Sequence, residues 1–232
     1  MSLQLNKNVL NKRVFKQEIL DLHIREFMLG QTFRYMDKQH SAIDVGGATG
    51  MYASYFARFA KNVHSFEAVT PVYNQLEKVK KLYPNIITYN KAVSKENGTA
   101  DFYVDDKRLS NSSFQNLVDG QKITVPTITL DSLGFSDVNF IKIDVEGCEL
   151  DVLYGAKKLI EDYKPTCMVE VYEKFNKYPI ETTFEFFYDK NYKCFYNKRA
   201  RGLIKVPTVS DAIKSVKEKH SEHDGDFLFV YE

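Results

Sequence analysis

Ala42-Ile43-Asp44-Val45-Gly46-Gly47-Ala48-Thr49-Gly50 is an apolar run that stops at a glycine cluster, and Tyr52 to Ala60 continues with helical spacing. A buried strand, a glycine-rich turn and a helix in that order form the opening unit of a parallel α/β sheet. The rest of the chain can be read outward from this unit.

Downstream, Val63 to Phe66 predicts a second strand. Val72, Leu76, Val79 and Tyr83 mark a helix stopped at Pro84, and Ile86 to Tyr89 predicts a third strand. Thr99 to Val104 and Lys122 to Leu130 predict a β excursion entered by the Asn97-Gly98 turn. The buried-strand pattern resumes at Phe140 to Val145, followed by a helix over Glu149 to Tyr163 and a strand over Cys167 to Val171. Phe184 to Lys190 predicts another helix, and Asp211 to Lys219 a short exposed one. Tyr192 to Tyr196 and Phe227 to Tyr231 suit a closing antiparallel pair. Upstream, Phe15, Ile19, Leu22, His23 and Phe27 share one face of a helix. The expected organisation is an N-terminal helical segment over residues 1–38 and one α/β domain over residues 39–232. Its sheet is Rossmann-like and mostly parallel, with helices on both faces and a β-hairpin insertion.

Composition narrows the function. The 32 Lys+Arg against 31 Asp+Glu leave a net charge of +1, which argues against nucleic-acid or membrane-surface partners gripped by bulk charge. The three cysteines, Cys148, Cys167 and Cys194, are odd in number and far apart. They fit reduced thiols in the cytoplasm better than a disulfide scaffold or a zinc finger. No apolar run approaches the roughly 20 residues of a membrane span. The start of the chain lacks the apolar core of a secretory signal. No repeat is visible.

In parallel sheets, ligands bind beyond the carboxyl ends of the strands. Four strand ends carry chemistry. The first reads G-G-x-x-G, not the G-x-G-x-x-G of dinucleotide sites, and Asp44 sits two positions before it. A carboxylate there repels a pyrophosphate and favours an ammonium or a sulfonium. S-adenosylmethionine carries both cations and no phosphate. At the second, Glu67 lies where an acid suits ribose hydroxyls, in nicotinamide and S-adenosylmethionine enzymes alike. At the third, Asp144 and Glu146 are two apart, and like charges held close push one pKa up toward that of a general base. At the fourth, Glu170 stands in an apolar strand and needs the crevice or a cation such as Lys142.

On these residues the chain resembles the FkbM family of S-adenosylmethionine-dependent methyltransferases. Ile43 to Tyr52 resembles the family's IDVGANxGxY. His64-Ser65-Phe66-Glu67, with Tyr73 and Leu76, resembles FEPxPxxxxxL. Asn90 to Ser94 with Asn97-Gly98 resembles its A-[LV]-S-x-x-x-G, and Phe140 to Leu150 resembles FIKIDVEGxEL. Met168 to Val171 is similar to the family's strand before the last substrate loops. The resemblance covers roughly residues 40–175. Gly47-Ala48 stands where the family has Ala-Asn, and Ala68 where it has Pro.

The resemblance implies a seven-stranded methyltransferase fold. Asp44, Gly46 and Gly50 would shape the methionine pocket, Glu67 would hold the ribose, the backbone around Ala92 and Val93 would lie along the adenine, and Asp144 would sit near the methionine end and the reacting centre. Gly47, Ala48, Tyr52 and Ala68 would be further cofactor contacts. The resemblance also implies O-methylation of a sugar or small secondary-metabolite hydroxyl. Asp144 and Glu146 are the candidates for catalysis, and Ser112, Ser113 and Glu170 for acceptor contacts. Ser112 and Ser113 belong to the polar run Leu109 to Phe114. No His or Cys has metal-ligand spacing and no metal is expected, although Asp144 with Glu170 could hold magnesium. A nicotinamide oxidoreductase and a non-catalytic Rossmann-like binding module are the alternatives. His23, His64, His220 and His223 are further acid/base candidates. The basic run Lys198 to Gly202 is a candidate anion contact.

Overall fold

A computed structural model describes residues 28–104, 121–172, 176–198, 202–218 and 225–231. A one-turn helix, α1 (Leu29–Thr32), leads into β1 (Ser41–Val45), all five residues of which are buried. Then follow α2 (Met51–Phe56), β2 (Val63–Phe66), α3 (Thr70–Lys80) and β3 (Ile86–Tyr89). A β excursion comes next, with β4 (Ala92–Val93), β5 (Gly98–Val104) and β6 (Gln121–Ile128). The main pattern resumes with β7 (Val138–Ile143), α4 (Glu149–Gly155), α5 (Lys157–Tyr163) and β8 (Thr166–Glu170). The chain closes with α6 (Ile180–Tyr188), β9 (Tyr192–Lys198), β10 (Gly202–Val206), α7 (Val209–Glu218) and β11 (Asp226–Tyr231).

The main sheet has the order β10-β9-β11-β8-β7-β1-β2-β3. Its five strands from β8 to β3 are parallel, and β11, β9 and β10 are antiparallel to their neighbours. The order reverses between β1 and β7, so the crevice of this doubly wound sheet opens above that pair. The excursion makes a second sheet, β4-β6-β5, whose β5 and β6 form an antiparallel hairpin.

Alternation along the strands feeds two cores. Ile43, Val45, Ile141 and Ile143 point to the face covered by α4, α5, α6 and α7. Ala42, Phe140 and Met168 point to the other, where they meet α2, α3 and the segment from Met28 to Met36. On the first face Phe184, Phe187, Phe227 and Phe229 pack ring to ring. All four are fully buried, and truncating one would cost about 3–5 kcal/mol.

Four local expectations change. The main sheet has eight strands, one more than expected, because β10 hairpins onto β9. The helix from Tyr52 ends at Phe56, not Ala60. The helix expected over Glu149–Tyr163 breaks at Ala156, φ −114°. There Gly155 is pressed against the Ser94 carbonyl so closely that a Cβ would not fit. Finally, α7 is not merely a surface helix. Ala212 and Val216 are buried in the first core, which no count of its charged residues reveals.

Candidate active site

The strand-end residues meet where β1 and β7 lie side by side. Asp44 and Lys142 are register partners across these strands, and Lys142 organises what surrounds them. Its ammonium donates to the Gly46 carbonyl at 2.9 Å. It pairs with Asp144 at 3.1 Å and with Asp44 at 3.6 Å, and its Nζ lies 4.8 Å from the centre of the Tyr52 ring. Burial works to discharge this lysine, and the Asp144 and Asp44 carboxylates outweigh it and hold the charge in place.

Asp44 has no exposed surface. Its Oδ2 accepts from the Ser65 hydroxyl at 2.9 Å, while Oδ1 has no hydrogen-bond donor among the described residues. Burial pushes its pKa up, against the pull of Lys142. Asp44 thus sits behind Lys142, and Asp144, about a third exposed, stands nearer to solvent.

The glycine turn is shaped by its neighbours. Gly46 has φ +77°, and a Cβ there would overlap the Asp144 carbonyl oxygen. Gly50 has φ +87° and abuts Leu76 and Val79. A Cβ on Gly47 would overlap the Ser65 hydroxyl. That hydroxyl gives a physical reason for glycine where the family pattern has alanine. Ala48 also has positive φ, +43°, a conformation that the family's asparagine adopts with less strain.

Glu67 follows β2, as expected, and its carboxylate is turned onto backbone. One oxygen accepts from Ala48 N–H at 3.0 Å and the other from Val69 N–H at 2.8 Å. Burial lifts its pKa to about 7 despite those bonds. Asn90 braces the same turn by donating to the Glu67 and Ala68 carbonyls. Ala92 and Val93 form β4, both buried, at the edge of the second sheet.

Beyond β7, Asp144, Glu146 and Glu170 share one neighbourhood. Burial first, then the charges of Asp144 and Glu149, raises Glu146 to about 7. Glu170 lies opposite Asp226 in the β8–β11 register. Burial and the charges of Asp144 and Asp226 raise it well above the usual carboxylate range. Lys142, the cation suggested for Glu170, forms its ion pairs with Asp44 and Asp144, and the charge of Glu170 acts on it as well. The segment after β8 is fastened to the turn after β7. Lys177 N–H donates to Gly147 O at 2.8 Å, and Lys177 Nζ and Tyr178 Oη bond to Asp151 at 2.8 and 2.7 Å.

Among the described residues no group of three His, Cys, Asp or Glu side chains is placed to hold a metal ion. His64 is partly buried and engages the Tyr89 hydroxyl at 3.0 Å. Ser112, Ser113, His23, His220, His223 and Arg199 to Arg201 lie outside the described residues, as does the helix expected over Phe15–Leu29 except Met28 and Leu29. Sequence reasoning missed the roles of Ser65, Glu149 and Asp151. The first two sit inside quoted motifs, and only their partners show what they do.

The model of the methyltransferase FkbM domain matches residues 44–194, from the buried Asp44 to the middle of β9. This chain belongs to the FkbM methyltransferase domain family. No curated protein matches it in sequence. Among solved structures it is similar to the FkbM methyltransferase of Methylobacillus flagellatus KT, at 15% identity and TM-score 0.55. That likeness covers 83% of this chain but only 44% of the other, so the chain spans less than half of that relative. It is also similar to an rRNA methylase of Streptococcus thermophilus, at 10% identity and TM-score 0.50, over 89% of this chain and 95% of that one. A third is a putative rRNA-methylase of Clostridium thermocellum, at 8% identity and TM-score 0.50, over 87% and 90%. These likenesses show a shared methyltransferase-like α/β fold. No helix among the described residues is long and apolar enough to cross a membrane.

Proposed function

We propose that this FkbM-family chain is an S-adenosylmethionine-dependent O-methyltransferase acting on a hydroxyl of a sugar or small secondary metabolite. The observation that carries the proposal is the lysine-centred joint between the glycine turn and the acid-bearing turn. Lys142 ties Gly46 O and Asp144 together at the switch point of the sheet.

The chain's residues fit the cofactor. Gly46 and Gly50 supply a turn in positive-φ geometry that side chains would obstruct. Asp44, Glu67, Asp144, Glu146 and Glu170 surround one buried lysine, so the local field favours a cationic ligand. Asp44 Oδ1 has no hydrogen-bond donor among the described residues and faces the Lys142 ammonium at 3.6 Å. Glu67, its carboxylate fixed by the Ala48 and Val69 N–H groups, would hold the ribose end through its remaining lone pairs, and Asp144 would face the positive end. When bound, S-adenosylmethionine supplies a methyl group on a sulfonium that is already a good leaving group.

The chain's own work is then alignment and proton removal. Glu146 is the better base. At about 7 its carboxylate is half ionised at neutral pH and able to take a hydroxyl proton, whereas Asp144 is held by an ammonium. Asp144 supplies fixed negative charge beside the reacting centre, and Glu170 and the segment after β8 border the acceptor side. A near-neutral chain supports a small acceptor over nucleic acid. Three free, buried thiols support a reducing, cytoplasmic setting.

Calorimetry with S-adenosylhomocysteine and with NAD tests the cofactor. Binding of the former alone is expected, and binding of NAD alone would sink the proposal. S-adenosylhomocysteine release is then followed across monosaccharides, deoxysugars and phenols, with amines as the contrasting class. Turnover with amines only would reject O-methylation.

A further inference from the structure

The turn after β7 holds Glu146 in a conformation it does not favour. Its φ is +55°, in the left-handed region that residues with a Cβ rarely occupy. Something must impose that geometry, and the bonds around it identify what does. Oε1 of Glu149 accepts the N–H of Val145 at 3.2 Å and the N–H of Gly147 at 3.0 Å. These are the two residues flanking Glu146, and both converge on one oxygen. On the far side, Gly147 O accepts Lys177 N–H at 2.8 Å. Glu149 is itself only 2% exposed and opens α4, so its arm starts from the packed core and cannot swing away.

Resting on the assignment of Glu146 as base, we propose that Glu149 is a positioning residue whose single oxygen clamps the two flanking amides and so sets the left-handed backbone that presents Glu146. What the clamp needs is an acceptor oxygen at the right reach. A negative charge is not required. Burial raises Glu149 to about 7, and the neutral acid still has a carbonyl oxygen to accept the same bonds. Among the described residues its other oxygen, Oε2, has no hydrogen-bond partner.

Three variants separate reach from charge. Glu149→Gln keeps the reach and removes the charge. Glu149→Asp keeps the charge and shortens the arm by one methylene. Glu149→Ala removes both. The full chain is assayed for amide exchange at Val145 and Gly147, for S-adenosylhomocysteine affinity, and for turnover with the acceptor identified by the screen above.

Glu149→Gln is expected to keep slow exchange and, at a pH above the acid limb, near wild-type turnover, with that limb moved to lower pH because one charge that raises Glu146 is gone. Glu149→Asp and Glu149→Ala should exchange at these amides about tenfold faster. The same two should lose about 100-fold in turnover, as misplacement of a reacting group by roughly 1 Å does. S-adenosylhomocysteine affinity should stay near wild type in all three. The proposal is overturned if Glu149→Gln falls with Glu149→Ala, if Glu149→Asp matches wild type, or if cofactor affinity drops in step with turnover. Should Glu149→Ala fail to fold, the Gln and Asp pair still decides. If the wild-type chain binds no S-adenosylhomocysteine, the methyltransferase proposal fails by itself, and the exchange pattern still reports the clamp.

Discussion

The two sides of the crevice are built on opposite principles. On the β1–β2 side, most carboxylate oxygens are engaged by donors of the chain. Asp44 meets Ser65 and Lys142, and both Glu67 oxygens accept backbone N–H groups. The glycine turn also has no room for side chains at Gly46 or Gly47. On the β7–β8 side, carboxyl groups crowd one another, and Glu146 and Glu170 are shifted upward by burial and by their acidic neighbours. Burial raises Asp44 and Glu67 on the first side too, but there donors hold the carboxylates in place, whereas the second side adds repulsion between acids where a proton can be moved. Substitutions should therefore cost stability on the first side and turnover on the second.

The largest effect expected is on the first side. Gly46→Ala places a Cβ on the Asp144 carbonyl at a positive-φ position. It should destabilise the chain by about 3–4 kcal/mol and abolish S-adenosylhomocysteine binding. Chemical denaturation and calorimetry check this, and a variant of wild-type stability would break the contrast. Next is the acidic side. Glu146→Gln should lower kcat by about 100-fold, within the range of a lost general base, with cofactor affinity retained. It should also leave the chain no less stable, since it removes a carboxyl whose ionisation burial opposes.

The pH dependence sharpens this second case. The base must be ionised, so kcat should rise with pH through about 7 and level off above it. Asp144→Asn removes one of the charges that raise Glu146, and the acid limb should move to lower pH. A limb that moves upward would reassign the base. For stability the sign is opposite. The folded value of Glu146 lies above its ordinary 4.5, so its contribution is complete below about 4.5 and is lost as pH rises through about 7. Thermal melts of Glu146→Gln against wild type should show that slope removed. The smallest effect is Ala48→Asn. At φ +43° asparagine relieves left-handed strain and should add about 1 kcal/mol of stability, read by chemical denaturation.

Much of this was legible in the chain before any folding. Asp44, Gly46, Gly50, Glu67 and Asp144 could be named because strand-turn-helix patterns place residues at strand ends, and strand ends are where such sheets bind ligands. The β excursion was marked by Asn97-Gly98, and the antiparallel closing strands by their length and apolar content. The eighth strand was not legible, because Gly202–Val206 alternates too weakly to be separated from a loop. The buried face of α7 was hidden by its charges, since exposure depends on what packs against a helix.

By itself, then, the sequence determined the element order, the parallel sheet, the family and the identity of the acidic strand ends, because these follow from local periodicity and short motifs. Only the tertiary structure decided how the charges are partnered. Asp44 and Lys142 are 98 positions apart along the chain and become neighbours through the β1–β7 register. Both strands are buried over most of their length, so hydrophobic periodicity alone does not specify that register. The αL turn at Glu146 and the reach of Glu149 back to it are likewise set in three dimensions, where a carboxylate finds the two amides that local spacing alone does not reveal.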